Sequence, residues 1–339
     1  MELPIYDNPP LKAYQGRAFE LSILMAHYSQ NIMPWLINKH INCVYNSQNQ
    51  RVPFDTVMYD DRWYNKEKLF KVQRIRLTPK VLEMKLFDFV EFTKEMLRNQ
   101  NYLWGYFDEY HIPGKFPYQK FHYRHDILIY GYDDNERSFL ALGYTENRKY
   151  EKYTITYENF QKSINVGYNE KETNLFAERL EFDYARLNES LCFKVNIKEI
   201  YSNLYDYLHS INSYGSRNYQ LTYGVESYRA FAYYVKESRE YLDDRIGRFF
   251  MEIKILMLER IKYLEQNGYL STGYSEEYEV VSKTQSIVHL LFLKYNLTLD
   301  HKIIDSIVEK QNFILEKELE ILTPILEELR LYLLKKDKI

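Results

Sequence analysis

The residues able to do chemistry crowd into one stretch, where Asp108 and Glu109 stand together, His122 follows, and His125 and Asp126 come next. Two adjacent carboxylates among aromatic residues, as in YFDEYHIP, have altered pKa values and suit acid–base work or the orienting of an imidazole; at a strand end they also read as solvated acids. His125 opens the apolar run HDILIYGYDD, where an imidazole either bonds a backbone carbonyl or lines a functional surface. Arg124 and Asp126 are expected on the face opposite His125 in an extended strand, and so not as its partners. His122, His125 and Asp126 also fit the order H-x-x-H-D. Strand residues three apart face opposite ways, so the two imidazoles would not meet one ion, and no metal or other cofactor is expected. The two cysteines, Cys43 and Cys192, stand far apart in no paired motif, which argues against a disulfide framework and suits a reducing compartment. Cys43 falls at the C-terminal end of a predicted helix, where the dipole disfavours a thiolate, and reads as a buried small hydrophobe.

The elements that must position these groups follow from periodicity. Residues 1–30 read as a mixed start, in which LKAYQGRAFELSILMAHYS supplies a strand entering a turn. A helix is predicted over 31–43, capped by Ser29 or Asn31, with Pro34 tolerated in its first turn. A second amphipathic helix is predicted over 79–99. Then the pattern changes. NYLWGYFDEY (101–110), HDILIYGYDD (125–134), SFLALGY (138–144) and YEKYTI (150–155) read as strands, with a hairpin at Asp134 and Asn135 and a short helix over 157–164. After about residue 170 nearly everything has helical spacing, the last helix being kinked or split at Pro324. The polar stretch from Gly167 to Thr173 marks the boundary, giving domains 1–168 and 169–339.

Composition excludes several function classes. Lys plus Arg number 45 against 48 acids, a net charge of −3, and no block of one sign is present to track a phosphate backbone. The 35 tyrosines are therefore read as packing residues and not as a stacking platform for nucleic acid. Apolar runs such as SIVHLLFL fall short of the roughly 20 residues that span a bilayer. The opening MELPIYDNPP does not read as a secretory signal, so a cytoplasmic protein is expected. The row Tyr228, Phe231, Tyr234 reads as packing, Arg260 and Lys262 as side chains that reach water along a helix, and the long helices after residue 240 as a possible basis for a homodimer.

FHYRHDILIYGYDDNERSFLALGY, residues 121–144, has a His opening an apolar strand, then Gly-Tyr-Asp, then a hairpin into a second apolar strand. It resembles the histidine strand of papain-like cysteine peptidases of the bacteriocin-processing kind. More closely, the chain resembles proteins similar to butirosin biosynthesis protein H, which accompany nonribosomal peptide and related natural-product pathways; YGVESYRAF, FFMEIKILMLERIKYLE and SIVHLLFLKYNLT look like that family's helical segments. The resemblance covers nearly the full length. It implies an α+β protein, with a papain-like N-terminal domain built on an antiparallel sheet and an all-helical C-terminal domain. For an intact member it implies acyl transfer, in which a cysteine at a helix N-terminus takes an acyl group from a carrier-protein thioester, with a His as base and an Asp or Asn behind it. Where that cysteine would fall, this chain has His27, Tyr28 and Ser29, and the second hairpin strand ends Leu142, Gly143, Tyr144 without a carboxylate. The implied catalytic set is then His125 as base, Ser29 as nucleophile and Asp108 as orienter, with His27, Glu109 and His122 lining a site for an acyl carrier protein or peptide. The reaction would be acyl transfer or thioester hydrolysis. The alternative is a catalytically inactive scaffold or binding module on the same fold.

Overall fold

A computed structural model describes residues 1–49, 53–56, 69–77, 88–164, 180–188, 191, 193–213, 221–237 and 241–336. In chain order these form α1 (Gln15–Tyr28), a 3-10 turn (Ser29–Ile32), α2 (Met33–Leu36), β1 (Cys43–Asn46), β2 (Phe54–Thr56), β3 (Phe70–Leu77), α3 (Phe89–Arg98), β4 (Tyr102–Asp108) and a second 3-10 turn (Glu109–His111). Next come β5 (Arg124–Asp133), β6 (Ser138–Tyr144), β7 (Tyr150–Thr156), α4 (Tyr157–Ile164), β8 (Leu180–Leu187) and α5 (Ile197–His209). The chain continues with β9 (Leu221–Tyr223), α6 (Glu226–Glu237), α7 (Asp244–Gln266), α8 (Tyr274–Thr298) and α9 (Lys302–Lys336). The protein is thus mixed α+β, with antiparallel sheets in its earlier part and a helical C-terminal region.

Two compact units emerge, each discontinuous: Met1–Gln30 with Tyr64–Cys192, and Asn31–Trp63 with Phe193–Ile339. The expected division at 168/169 lies outside the described residues, as does Cys192. Residues 31–63 group with the later chain because β1 pairs on one edge with β2 and on the other with β9, through Val44↔Tyr223 and Asn46↔Leu221.

The first unit is built on a six-stranded antiparallel sheet in the order β3-β8-β4-β5-β6-β7. Its centre is covered on both faces. On one face α1 packs Phe19 edge-on to Trp104, with ring centroids 5.3 Å apart, and Ser22 against the Tyr150 hydroxyl at 3.1 Å. On the other face α4 places Phe160 against Phe107 and Phe139. Double coverage explains why β4 reads as a nearly continuous apolar run, with Tyr106 its one exposed residue. The hairpin joining β5 to β6 forms as expected, Asp133 Oδ1 accepting from the Asn135 amide at 2.8 Å.

Several expectations are corrected. The segment read as a strand within residues 1–30 is the helix α1, whose buried Gln15, Ala18, Phe19 and Ser22 follow helical spacing; Leu21, Ile23 and Leu24 are buried too, which widens the apolar face and blurs its period. The helix expected over 31–43 is only a 3-10 turn and the four-residue α2. Beyond it, tertiary bonds take the backbone out of the helix: Asn38 bonds the backbone of Lys194 and Asn196, and His40, at φ 57, meets Thr56 Oγ1 at 2.9 Å. Of the helix expected over 79–99, Phe89–Arg98 is helical and residues 78–87 lie outside the described ones. The later chain is not wholly helical, since it carries β8 and β9. Pro324 does not split α9, which runs unbroken through it.

In the second unit Phe54, Phe231 and Phe250 form an edge-to-face aromatic core, joined by Tyr228 and Phe292. Lys254 and Glu318 make a buried ion pair at 2.6 Å, and the hydroxyls of Tyr207 and Tyr278 donate to the same carboxylate. Arg260 does not reach water. It is buried and donates to the carbonyls of Ile37 and Lys39, each at 2.6 Å, and burial pushes its guanidinium down to about 9. Among the described residues no helix is long and apolar enough to cross a membrane.

Candidate functional site

The site forms where β4 ends. Asp108 closes the strand and its carboxylate accepts from the Tyr110 amide, starting the 3-10 turn that carries Glu109 and His111. The antiparallel ladder sets His125 opposite Phe107, one step from this turn. The β5–β6 ladder reaches only to Leu128↔Leu142, so the edge of β5 ahead of Leu128 is not taken by β6. The first residue of α1 takes it. Gln15 Nε2 donates to the Asp126 carbonyl at 2.5 Å and to its carboxylate at 3.0 Å, while Gln15 Oε1 accepts from the Tyr144 amide at 2.6 Å. A Cβ at position 143 would stand 2.8 Å from Gln15 Oε1, so Gly143 is needed for this approach.

His125 sits between two carboxylates. Its Nδ1 is 3.2 Å from Glu109 Oε1 and its Nε2 is 3.5 Å from Asp126 Oδ1, the side chain being 33% exposed. Asp126 was expected on the opposite face; at this open strand edge, with Gln15 holding both its carbonyl and its carboxylate, it bends round to the ring. Burial disfavours the imidazolium, but the Glu109 hydrogen bond and the charges of Asp126 and Glu109 outweigh it and raise the pKa. Lys115 completes the cluster. Its ammonium, almost wholly buried, donates to the Tyr144 carbonyl at 2.6 Å, lies 3.5 Å from Glu109 Oε1 and sits 4.2 Å above the Tyr153 ring. Burial lowers its pKa against the opposing pull of Glu109 and Asp126. A carboxylate near each nitrogen favours the protonated ring, the form that has no lone pair with which to act as a base.

The residues expected at a site are only partly brought together. Glu109, expected to line the substrate, is the carboxylate behind His125. Asp108, expected to orient His125, instead binds His122 Nδ1 at 2.6 Å. The reason is the turn: Asp108 keeps strand geometry, and the 3-10 step after it swings Glu109 toward the ring. Ser29 caps the C-terminal end of α1, its amide donating to the Met25 carbonyl. It is not an N-cap. With Gln15 starting the same 14-residue helix beside His125, Ser29 is displaced by about 20 Å along the axis. His27, near that far end, bonds the Tyr102 hydroxyl at 2.9 Å and is lowered in pKa by burial. Cys43, buried on β1 in the second unit, has its thiol pushed up to about 12, chiefly by burial. Among the described residues no hydroxyl or thiol hydrogen-bonds His125; the helix N-terminus beside it presents the amide of Gln15.

Gln15, Lys115 and Asp126 were not foreseen as site members. Their only sequence signal was proximity to glycine or to His125. From the site an aromatic row runs outward: Tyr123 lies 5.5 Å from His125 ring to ring, Phe121 6.5 Å from Tyr123, and Phe116 6.0 Å from Phe121. Phe116, Phe121 and Tyr123 are all exposed. A comparison with protein-family models finds no match, and a comparison with curated proteins finds none either.

Proposed function

We propose that the surface around His125 is a binding site for a carrier protein or peptide, on a natural-product biosynthesis protein of the butirosin protein H kind, that forms no acyl-enzyme. The observation that carries this reading is Gln15. The residue at the N-terminus of α1, beside the imidazole, is an amide already bonded to Asp126 and Tyr144. An amide is no nucleophile at neutral pH, and without one the helix start has no atom on which an acyl-enzyme could form. Two further features support binding. The His125 ring is a third exposed beside the Glu109 carboxylate, and Phe116, Phe121 and Tyr123 offer apolar area of the kind that anchors a protein partner.

The test titrates acylated and free pantetheinyl carrier protein, and short peptides, against the chain by calorimetry. Tyr123→Ala should weaken binding at least about fivefold, the loss expected when an anchoring aromatic is truncated, and His125→Ala should do likewise. Thioester loss should match the buffer blank for both wild type and His125→Ala. Turnover that depends on His125 would overturn the reading in favour of acyl transfer, and saturable binding indifferent to both variants would place the partner elsewhere.

A further inference from the structure

The geometry points to a divalent transition-metal site, of the zinc class, formed by Asp108, His111 and His122. The oxygen and nitrogen atoms these residues would offer all lie within 4.8 Å of one another. Local structure brings them there. In a 3-10 turn residues three apart eclipse each other, so Asp108 and His111 fall on the same side. The excursion through residues 112–121 then returns the chain so that His122, two residues before β5, lies over the pair.

The carboxylate is set up as a ligand. Asp108 is fully buried, and its Oδ1 accepts from the amides of Tyr110 at 3.2 Å and Tyr123 at 3.1 Å. Those two bonds fix the group and leave Oδ2 to face the imidazoles, 2.6 Å from His122 Nδ1 and 3.9 Å from His111 Nε2. Such hydrogen bonding of a ligating carboxylate is the usual second layer of a metal site. His122 is steadied from behind by stacking on Tyr110 at 4.3 Å. The His111 ring touches Tyr110 and His122, and among the described residues neither of its nitrogens makes a hydrogen bond. A buried acid could serve only to anchor the turn through Oδ1. That role does not account for a second imidazole aimed at Oδ2 without a bond.

Ligand atoms about 2.1 Å from a tetrahedral ion stand roughly 3.4 Å apart. Admitting the ion therefore needs the 2.6 Å contact to open and the 3.9 Å contact to close, each by under about 1 Å. Two imidazoles and one carboxylate suit zinc, cobalt or nickel better than magnesium or calcium, which take oxygen ligands. The proton shared by Asp108 and His122 leaves to solvent as the ion enters. With His122 half exposed, the remaining coordination position faces water or a ligand.

The experiment adds Zn2+ alone to full-length, chelator-stripped protein and follows heat, with competition against a chromophoric chelator for affinity. One ion per chain should bind, and His111→Ala and His122→Ala should each weaken it more than about 100-fold, beyond the 10- to 100-fold that loss of an outer partner costs. His209→Ala, an exposed imidazole stacked on Tyr205, should leave affinity unchanged. A second measurement needs no variant: Co2+ should broaden the imidazole resonances of His111 and His122 before those of His27 or His289. No binding, or binding unaffected by His111→Ala and His122→Ala, or cobalt broadening centred on other histidines, would overturn the assignment. None of these outcomes bears on whether the His125 surface binds a carrier.

Discussion

Replacing Glu109 by Gln keeps the shape of the side chain and removes the charge that faces His125 at 3.2 Å. A hydrogen bond to an ionised group contributes about 1.5–3 kcal/mol, and about 1.36 kcal/mol corresponds to one pKa unit. The ring is a third exposed, so solvent screening puts the interaction at the low end, about 1.5 kcal/mol. Asp126 remains, but burial then weighs more heavily, and the His125 pKa should fall from its raised position. The sign of the stability effect follows from the direction of the shift. A histidine whose folded pKa lies above its unfolded one stabilises the fold fully below the unfolded value, and that contribution disappears as pH rises through the folded value. The wild type should lose this contribution between about pH 6, below the unfolded value, and about pH 8.5, and Glu109→Gln should lose less of it. The variant also strips Lys115 of its counter-charge. Because burial already lowers the Lys115 pKa, the imidazole titration isolates His125 where the unfolding difference also carries Lys115. Imidazole titration by NMR and urea unfolding at the two pH values check both quantities. A His125 pKa that stays put or rises in Glu109→Gln would refute the reasoning.

Other variants probe the rest of the frame. Arg260→Met leaves the Ile37 and Lys39 carbonyls without their donor and should cost about 3 kcal/mol or more in urea unfolding. Lys254→Met strands the buried Glu318 carboxylate and should cost about 3–5 kcal/mol, whereas Lys254→Met with Glu318→Leu should recover most of that. A double-mutant cycle on the unfolding free energies gives the comparison. Gly143→Ala sets a methyl against Gln15 Oε1 and should cost about 1–3 kcal/mol, with loss of the hydrogen-exchange protection that Tyr144 draws from Gln15.

The central strands were legible because their signal was redundant. β4 and β5 are buried on both faces and read as continuous apolar runs, and the Asp134–Asn135 turn separates β5 from β6. β8 shows an alternation of Leu180, Phe182 and Tyr184 with Glu181 and Asp183, a period of two that was passed over inside a stretch read as helical. β9 has three residues and no readable period. α1 was missed because its first residue follows Tyr14, which makes no side-chain cap, and because its apolar face is wide. At the site His125 was legible from its place at the head of an apolar run. Its carboxylate was assigned one residue too early: the paired acids Asp108 and Glu109 read alike, and the 3-10 turn that brings Glu109 to the ring has no signal in the sequence. Gln15 carried no signal because the implied chemistry calls for a thiol or hydroxyl. What stands at the helix start is an amide, and its role depends on Gly143 and Asp126, far along the chain.

The helix start beside His125 presents no nucleophile, and intact-protein mass spectrometry checks this. After incubation with a carrier protein bearing an acyl thioester, the chain should keep its unmodified mass, with thioester decay equal to that in buffer. A covalent acyl adduct on the wild type that is absent from His125→Ala would contradict it.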